Sequence, residues 1–145
     1  MRYLAIDYGT KRTGLAICDQ AETIASPLAV IQGQKELIKK ISEIIEAENV
    51  DAVVLGLPIN MDGSEGPQAE LVLKFGKQLQ NRLKVPVLIH DERLSSFSAE
   101  EKLNSANYTR KKKKKRLDAV AAAEILESFL QQTTHRKSNG TGLPG

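Results

Sequence analysis

Three acidic sites stand far apart in the chain, each beside a run that reads as a regular element: Asp7 in YLAIDYGTKRTG, Asp91 and Glu92 in VPVLIHDERLSS, and Asp118 in KKRLDAVAAAEIL. The first two close apolar, strand-like runs and the third opens a helical one, so one sheet edge can gather all three. Such a set suits Mg²⁺ or Mn²⁺, which prefer hard oxygen ligands and keep several waters. A pair of these ions can activate water and stabilise the leaving oxygen in phosphodiester hydrolysis. The histidines point to no rival chemistry. His135 falls in a polar tail, and His90 adjoins Asp91 on a strand, where it reads as a packed residue or a secondary participant. A Ser-His-Asp arrangement has no support. Cys18 is the only cysteine, which excludes an internal disulfide and a Cys-based zinc site and suits a reducing compartment.

The carboxylates need elements to carry them. YLAID from Tyr3 to Asp7 reads as a strand, Thr13 to Cys18 and Ala25 to Ile31 as two more, and short links make these an antiparallel meander. Leu37, Ile38, Ile41, Ile44 and Ile45 recur at helical spacing across 33–48, and AVVLGL at 52–57 is a buried strand ended by Pro58. Pro67 opens a second helix with Val72, Phe75, Leu79 and Leu83 on one face, and Val85 to Asp91 forms a fifth strand. The two βαβ units imply parallel pairing. Ser98 to Glu101 has capping-box spacing for a short helix over 98–104, and a last helix runs over about 115–132. The expectation is one α/β domain over 1–132, a five-stranded mixed sheet with helices packed on it, and a disordered tail over 133–145.

That last helix places Asp118. At 100° steps, Glu124, Glu127, Ser128 and Gln131 fall between about 180° and 280° from Asp118, while Ala122, Ile125, Leu126 and Phe129 fall within about 80°. Asp118 thus lies on the inward face, where an ionised carboxylate must be compensated. Two compensations are open: the first turn of the helix, which favours negative charge, or a metal ion shared with Asp7 and an acid from 91 or 92.

A net charge of +3 conceals a local concentration. Arg110, Lys111, Lys112, Lys113, Lys114, Lys115 and Arg116 form an unbroken basic run, and without it the balance is 14 basic residues against 18 acidic. The run is either a solvated loop or a phosphate-binding arm with sequence-independent, salt-sensitive affinity for a nucleic-acid backbone. Aromatic residues are too few for a stacking array, so backbone shape is read in preference to base identity. No apolar stretch approaches the roughly 20 residues of a membrane span. Met1 and Arg2 lead directly into a strand without a secretory signal, so a cytoplasmic protein is expected.

Two loops can handle phosphate. Asp7 to Gly14 joins an acid to a tight turn bearing Thr10, Lys11 and Arg12; Gly56 to Gly66, with Asn60, leads from a strand to a helix N-terminus and also reads as a plain turn. An Asp-x-Gly-Thr turn occurs in actin-like ATPases and sugar kinases too, but those close two lobes on ATP and this chain has room for one.

Taken in order, Asp-Tyr-Gly-Thr-Lys-Arg-Thr-Gly, Gly-Leu-Pro-Ile-Asn-Met-Asp-Gly-Ser-Glu, His-Asp-Glu-Arg-Leu-Ser-Ser and Leu-Asp-Ala-Val-Ala-Ala-Ala-Glu-Ile-Leu resemble the YqgF (RuvX) family over roughly residues 2–131. Members are small bacterial RNase H-like proteins described as Holliday junction resolvases and as nucleases that mature the 5′ end of 16S ribosomal RNA. The resemblance implies an RNase H-like fold and a nuclease, with Asp7, Glu92 and Asp118 as the catalytic, metal-holding acids. One strand register turns only one of Asp91 and Glu92 into the site; the family match favours Glu92. The family commonly carries a Gly-containing segment with one or two basic residues before its last acid, where this chain has the run 110–116.

The reading that follows is a Mg²⁺- or Mn²⁺-dependent endonuclease acting on structured RNA of the ribosomal small-subunit precursor, as a monomer or weak homodimer. Thr10, Lys11, Arg12, Asn60 and Arg93 would orient the scissile phosphate, and 110–116 would hold the flanking backbone. Two alternatives stand beside it: a resolvase of four-way DNA junctions, and a nucleic-acid-binding module without catalysis.

Overall fold

The computed structural model describes residues 1–60, 62–92 and 110–141, with side chains of the last segment described over 118–133. A five-stranded sheet runs through it: β1 (Tyr3–Asp7), β2 (Arg12–Cys18), β3 (Ala25–Gln32), β4 (Ala52–Leu57) and β5 (Val87–Asp91), in the spatial order β3-β2-β1-β4-β5. β1 pairs antiparallel with β2, and β2 with β3, while β4 lies parallel to both β1 and β5. The mixed sheet expected from the sequence is therefore present. Parallel strands buried on both faces read as continuous apolar runs, and every residue of AVVLGL in β4 is buried.

The two faces of the sheet are built from residues of different size. On one, Leu4, Ile6, Leu15, Val53 and Leu55 pack against α1 (Leu37–Ala47) and α2 (Pro67–Arg82) through Leu37, Ile41, Val72, Phe75 and Leu79. On the other, Ala5, Ala16, Cys18, Ala52 and Val54 meet a single helix, α3 (Arg110–Thr141), through Ala122, Ala123, Ile125, Leu126 and Leu130. Small side chains on the second face let α3 approach the sheet closely, and that approach positions the site.

α3 differs from the expected helix at both ends. It starts at Arg110, so the basic run is the helix's opening turns and not a loop: Lys and Arg propagate a helix well, although the run has no apolar period by which to read one. It also continues to Thr141, past Leu130, the last of its described residues in the core, as a helix that the tail's composition does not predict. Asp118 consequently lies eight residues past the helix's first residue, well beyond the first turn, so capping cannot compensate its charge. α1 begins at Leu37 instead of 33 and β5 at Val87 instead of 85. The helix expected over 98–104 lies outside the described residues.

Candidate active site

Strand alternation puts Tyr3, Ala5 and Asp7 on the α3 face of β1, and Arg12, Gly14, Ala16 and Cys18 on that face of β2. Asp7 and Gly14 are cross-strand partners. Paired residues in a sheet hold their Cβ atoms about 5 Å apart; because Gly14 has none, the space beside Asp7 is left for the backbone of α3. A methyl group at Gly14 would overlap the Asp118 main-chain carbonyl. Gly14 thus sets the contact between β2 and the stretch of α3 that carries Asp118.

Gly56 serves the same purpose on β4. A Cβ there would sit 3.0 Å from Glu92 Cγ and Oε1 and 2.5 Å from Ile125 Cδ1. Glu92, the residue after β5, therefore lies over the end of β4 and reaches Asp7, with which it shares a hydrogen bond. His90 is on the same face, buried, its Nε2 3.0 Å from Ser128 Oγ and its ring edge-on to Phe129; it is part of the packing between β5 and α3. Burial pushes its pKa down, partly opposed by Asp91. Asp91, paired in register with Leu57, alternates onto the opposite face.

The electrostatics are those of acids brought together against their charge. Burial raises the Asp7 pKa well above the usual carboxylate range, and the Glu92 charge, the shared hydrogen bond and Asp118 raise it further. Glu92 is raised by burial and by Asp91, with its hydrogen bond to Asp7 in opposition. A proton bound more tightly in the native state than in the unfolded chain stabilises the fold at low pH. That contribution is lost as pH rises from the ordinary carboxylate value near about 4 through the raised native value. With divalent ions chelated, we expect wild-type stability to fall across that window relative to Asp7→Asn; denaturant titrations at stepped pH measure the difference, and parallel profiles would refute it.

Asp118 is placed differently. Its Oδ2 accepts a hydrogen bond from Arg12 Nε at 2.7 Å, and both side chains are about one-quarter exposed. Among the described residues, no group of three acidic, histidine or cysteine side chains is placed to hold a metal ion as it stands; Asp7 and Glu92 share a hydrogen bond, and Asp118 is paired with Arg12. The donor set is nevertheless of the kind that suits Mg²⁺ or Mn²⁺: hard oxygens, a crowded, half-buried pair of carboxyls, and a third carboxylate within electrostatic reach.

The turn that follows Asp7 is braced by residues the sequence reading passed over. Gln34 donates from Nε2 to the carbonyls of Gly9 and Thr10, at 2.9 and 3.2 Å, and its Oε1 accepts from the Tyr8 hydroxyl at 2.8 Å. The Tyr8 ring stacks on Phe75 of α2 with centroids 4.1 Å apart. Contacts between residues about 25 positions apart leave no periodic trace. We expect Gln34→Ala to cost about 1 kcal/mol of stability by loosening the turn after Asp7; an unchanged unfolding midpoint would show the turn to be rigid without it.

Of the other expected phosphate contacts, Thr10 and Lys11 are exposed on this turn. Asn60 is held within the loop after β4, its Nδ2 donating to Ser64 Oγ at 3.1 Å, in a turn closed by Asp62. Arg93 and the side chains of 110–116 lie outside the described residues. Among the described residues, no helix is long and apolar enough to cross a membrane.

Comparison with known proteins agrees with this architecture. The Thermus thermophilus RuvC structure in complex with a Holliday junction substrate superposes with a TM-score of 0.58 at 14% identity, covering 92% of this chain and 96% of that one. The fowlpox virus Holliday junction resolvase gives 0.52 at 16% identity, covering 91% and 99%. At these identities the likeness establishes the fold, which is RNase H-like. In sequence, proteins named "Putative pre-16S rRNA nuclease" are much closer. That of Caldanaerobacter subterraneus subsp. tengcongensis is 44% identical over 133 residues, 90% of this chain and 96% of its own length. That of Bacillus mycoides is 42% identical over 134 residues, 90% and 98%. The family profile described as "RuvX: Holliday junction resolvase" matches residues 1–132. With the sheet order, the site-bearing segments and near full-length relatives in agreement, this chain belongs to the RuvX family.

Proposed function

We propose that the protein is a cytoplasmic, metal-dependent endonuclease that processes the 5′ end of pre-16S ribosomal RNA. The observation that carries this reading is the Asp7–Glu92 pair at the sheet edge, with Asp118 brought beside it by α3. Asp7, Glu92 and Asp118 would hold Mg²⁺ or Mn²⁺, with Asp91 turned to the other face. The bound ion would supply an activated water and neutralise charge on the leaving oxygen. The carboxylates fix the site's position. Thr10, Lys11 and Arg12 on and beside the turn, with Asn60 and Arg93, orient the scissile phosphate. The seven cations of 110–116, on the opening turns of α3, add to the positive end of that helix and hold the flanking backbone. The names of the near full-length relatives favour ribosomal RNA as the substrate.

The family description and the fold favour a second reading, resolution of four-way DNA junctions, in which a dimer makes paired cuts. Purified protein offered a 5′-extended 16S precursor fragment and a four-way junction, with Mg²⁺ or Mn²⁺, separates them. Cutting of the RNA alone establishes the first and cutting of the junction alone the second. Binding that survives chelation with no product from either substrate leaves a non-catalytic module.

A further inference from the structure

Arg12 is the first residue of β2, two positions from Gly14 on the same face, so the glycine that admits α3 also brings the Arg12 side chain alongside Asp118. These residues are 106 apart in sequence, and the contact is a single Nε to Oδ2 hydrogen bond at 2.7 Å. Among the described residues only Nε of Arg12 is engaged, so its two terminal nitrogens remain able to bind an anion. Asp118 is too far along α3 to be compensated by the helix N-terminus, and Arg12 supplies the positive charge that this carboxylate needs.

We propose that Arg12 is a stand-in cation: it neutralises Asp118 in the metal-free protein, gives the carboxylate up when a divalent ion is bound, and is thereby released to a non-bridging oxygen of the substrate phosphate. This rests on the reading that Asp7, Glu92 and Asp118 hold metal, and it adds that metal and phosphate binding are coupled through one side chain. The pair suits such an exchange. It is solvent-accessible and singly bonded, and pairs of this kind contribute little net stability, so a divalent ion can displace it.

The test is Mn²⁺ titration of the full-length, metal-free chain, with free ion followed by electron paramagnetic resonance. Arg12→Gln removes the competing charge and is expected to bind Mn²⁺ about fivefold more tightly than wild type. Arg12→Lys keeps the charge and should stay within about twofold. Equal or weaker binding by Arg12→Gln would overturn the proposal and leave Arg12 as a residue that merely positions Asp118. If Asp7→Asn binds Mn²⁺ as wild type does, the metal reading itself fails and the proposal goes with it. A second measurement needs no variant to fold differently: the Arg12 Nε–H resonance of wild type, hydrogen-bonded to Asp118, should shift and exchange faster with solvent at saturating Mg²⁺. An unchanged resonance would also overturn the proposal.

Discussion

Asp7→Asn is expected to lower cleavage on the order of 10³-fold, the scale seen when a preorganised electrostatic group is removed, while making the metal-free protein more stable than wild type. The two effects have one origin. Asp7 and Glu92 are half-buried against one another, and burial and neighbouring negative charge raise both carboxyls above their ordinary values, so two negative charges there are disfavoured in the native state. Asparagine keeps the shape and can donate a hydrogen bond to Glu92 without the charge. A site kept costly in the apo fold in order to bind a cation is the expected trade between stability and activity. Thermal unfolding with chelator should therefore show a higher midpoint for Asp7→Asn, and added Mg²⁺ should raise wild type selectively by mass action on the native state. RNA binding should be largely retained, because the basic residues of 110–116 are untouched. A variant that is both inactive and less stable without metal would show Asp7 to be a structural residue.

What the sequence discloses divides along a physical line. Strands buried on both faces carry their own signal, and YLAID and AVVLGL are found where their apolar runs lie. Asp7, Asp91 and Glu92 are visible because they end or flank apolar strand runs, and Asp118 because an apolar helical run follows it. The start of α3 is hidden because lysines and arginines have no hydrophobic period, and with it goes the true depth of Asp118 in the helix. That depth decides what compensates the carboxylate: a helix terminus is a local feature that a sequence suggests, whereas Arg12 is reached only through the packing of α3 on β2. Gln34 and Gly14 escape for the same reason. Their roles are relations between elements, and no window of sequence contains both partners.

Gly14 shows how strongly such a relation can act, and Gly14→Ala is expected to be the most destabilising conservative change near the site. The position needs no unusual backbone, since Gly33 and Gly63 are the glycines with positive φ among the described residues. What it needs is space. The added methyl would overlap the main-chain carbonyl of Asp118, and the neighbouring contact is the nitrogen of Ala119 at 3.0 Å. Main chain cannot rotate aside, so relief requires α3 to lift from the sheet along Ala122, Ile125 and Leu126, all buried. Overpacking costs about 1–3 kcal/mol, and an obstructing backbone places this case at the upper end, a loss of roughly 10 °C in midpoint for a domain this size. Asp118 would move with the helix, so Mn²⁺ affinity should fall in the same variant. Gly56→Ala provides the contrast, because its methyl would meet Ile125 Cδ1 and the Glu92 side chain, which can turn away. That variant should keep most of its stability and lose metal affinity through Glu92. Unfolding curves with chelator and Mn²⁺ titrations on both variants distinguish the two behaviours. A wild-type midpoint for Gly14→Ala would mean that α3 does not rest on β2 at this glycine, and the placement of Asp118 beside Asp7 would have to be abandoned.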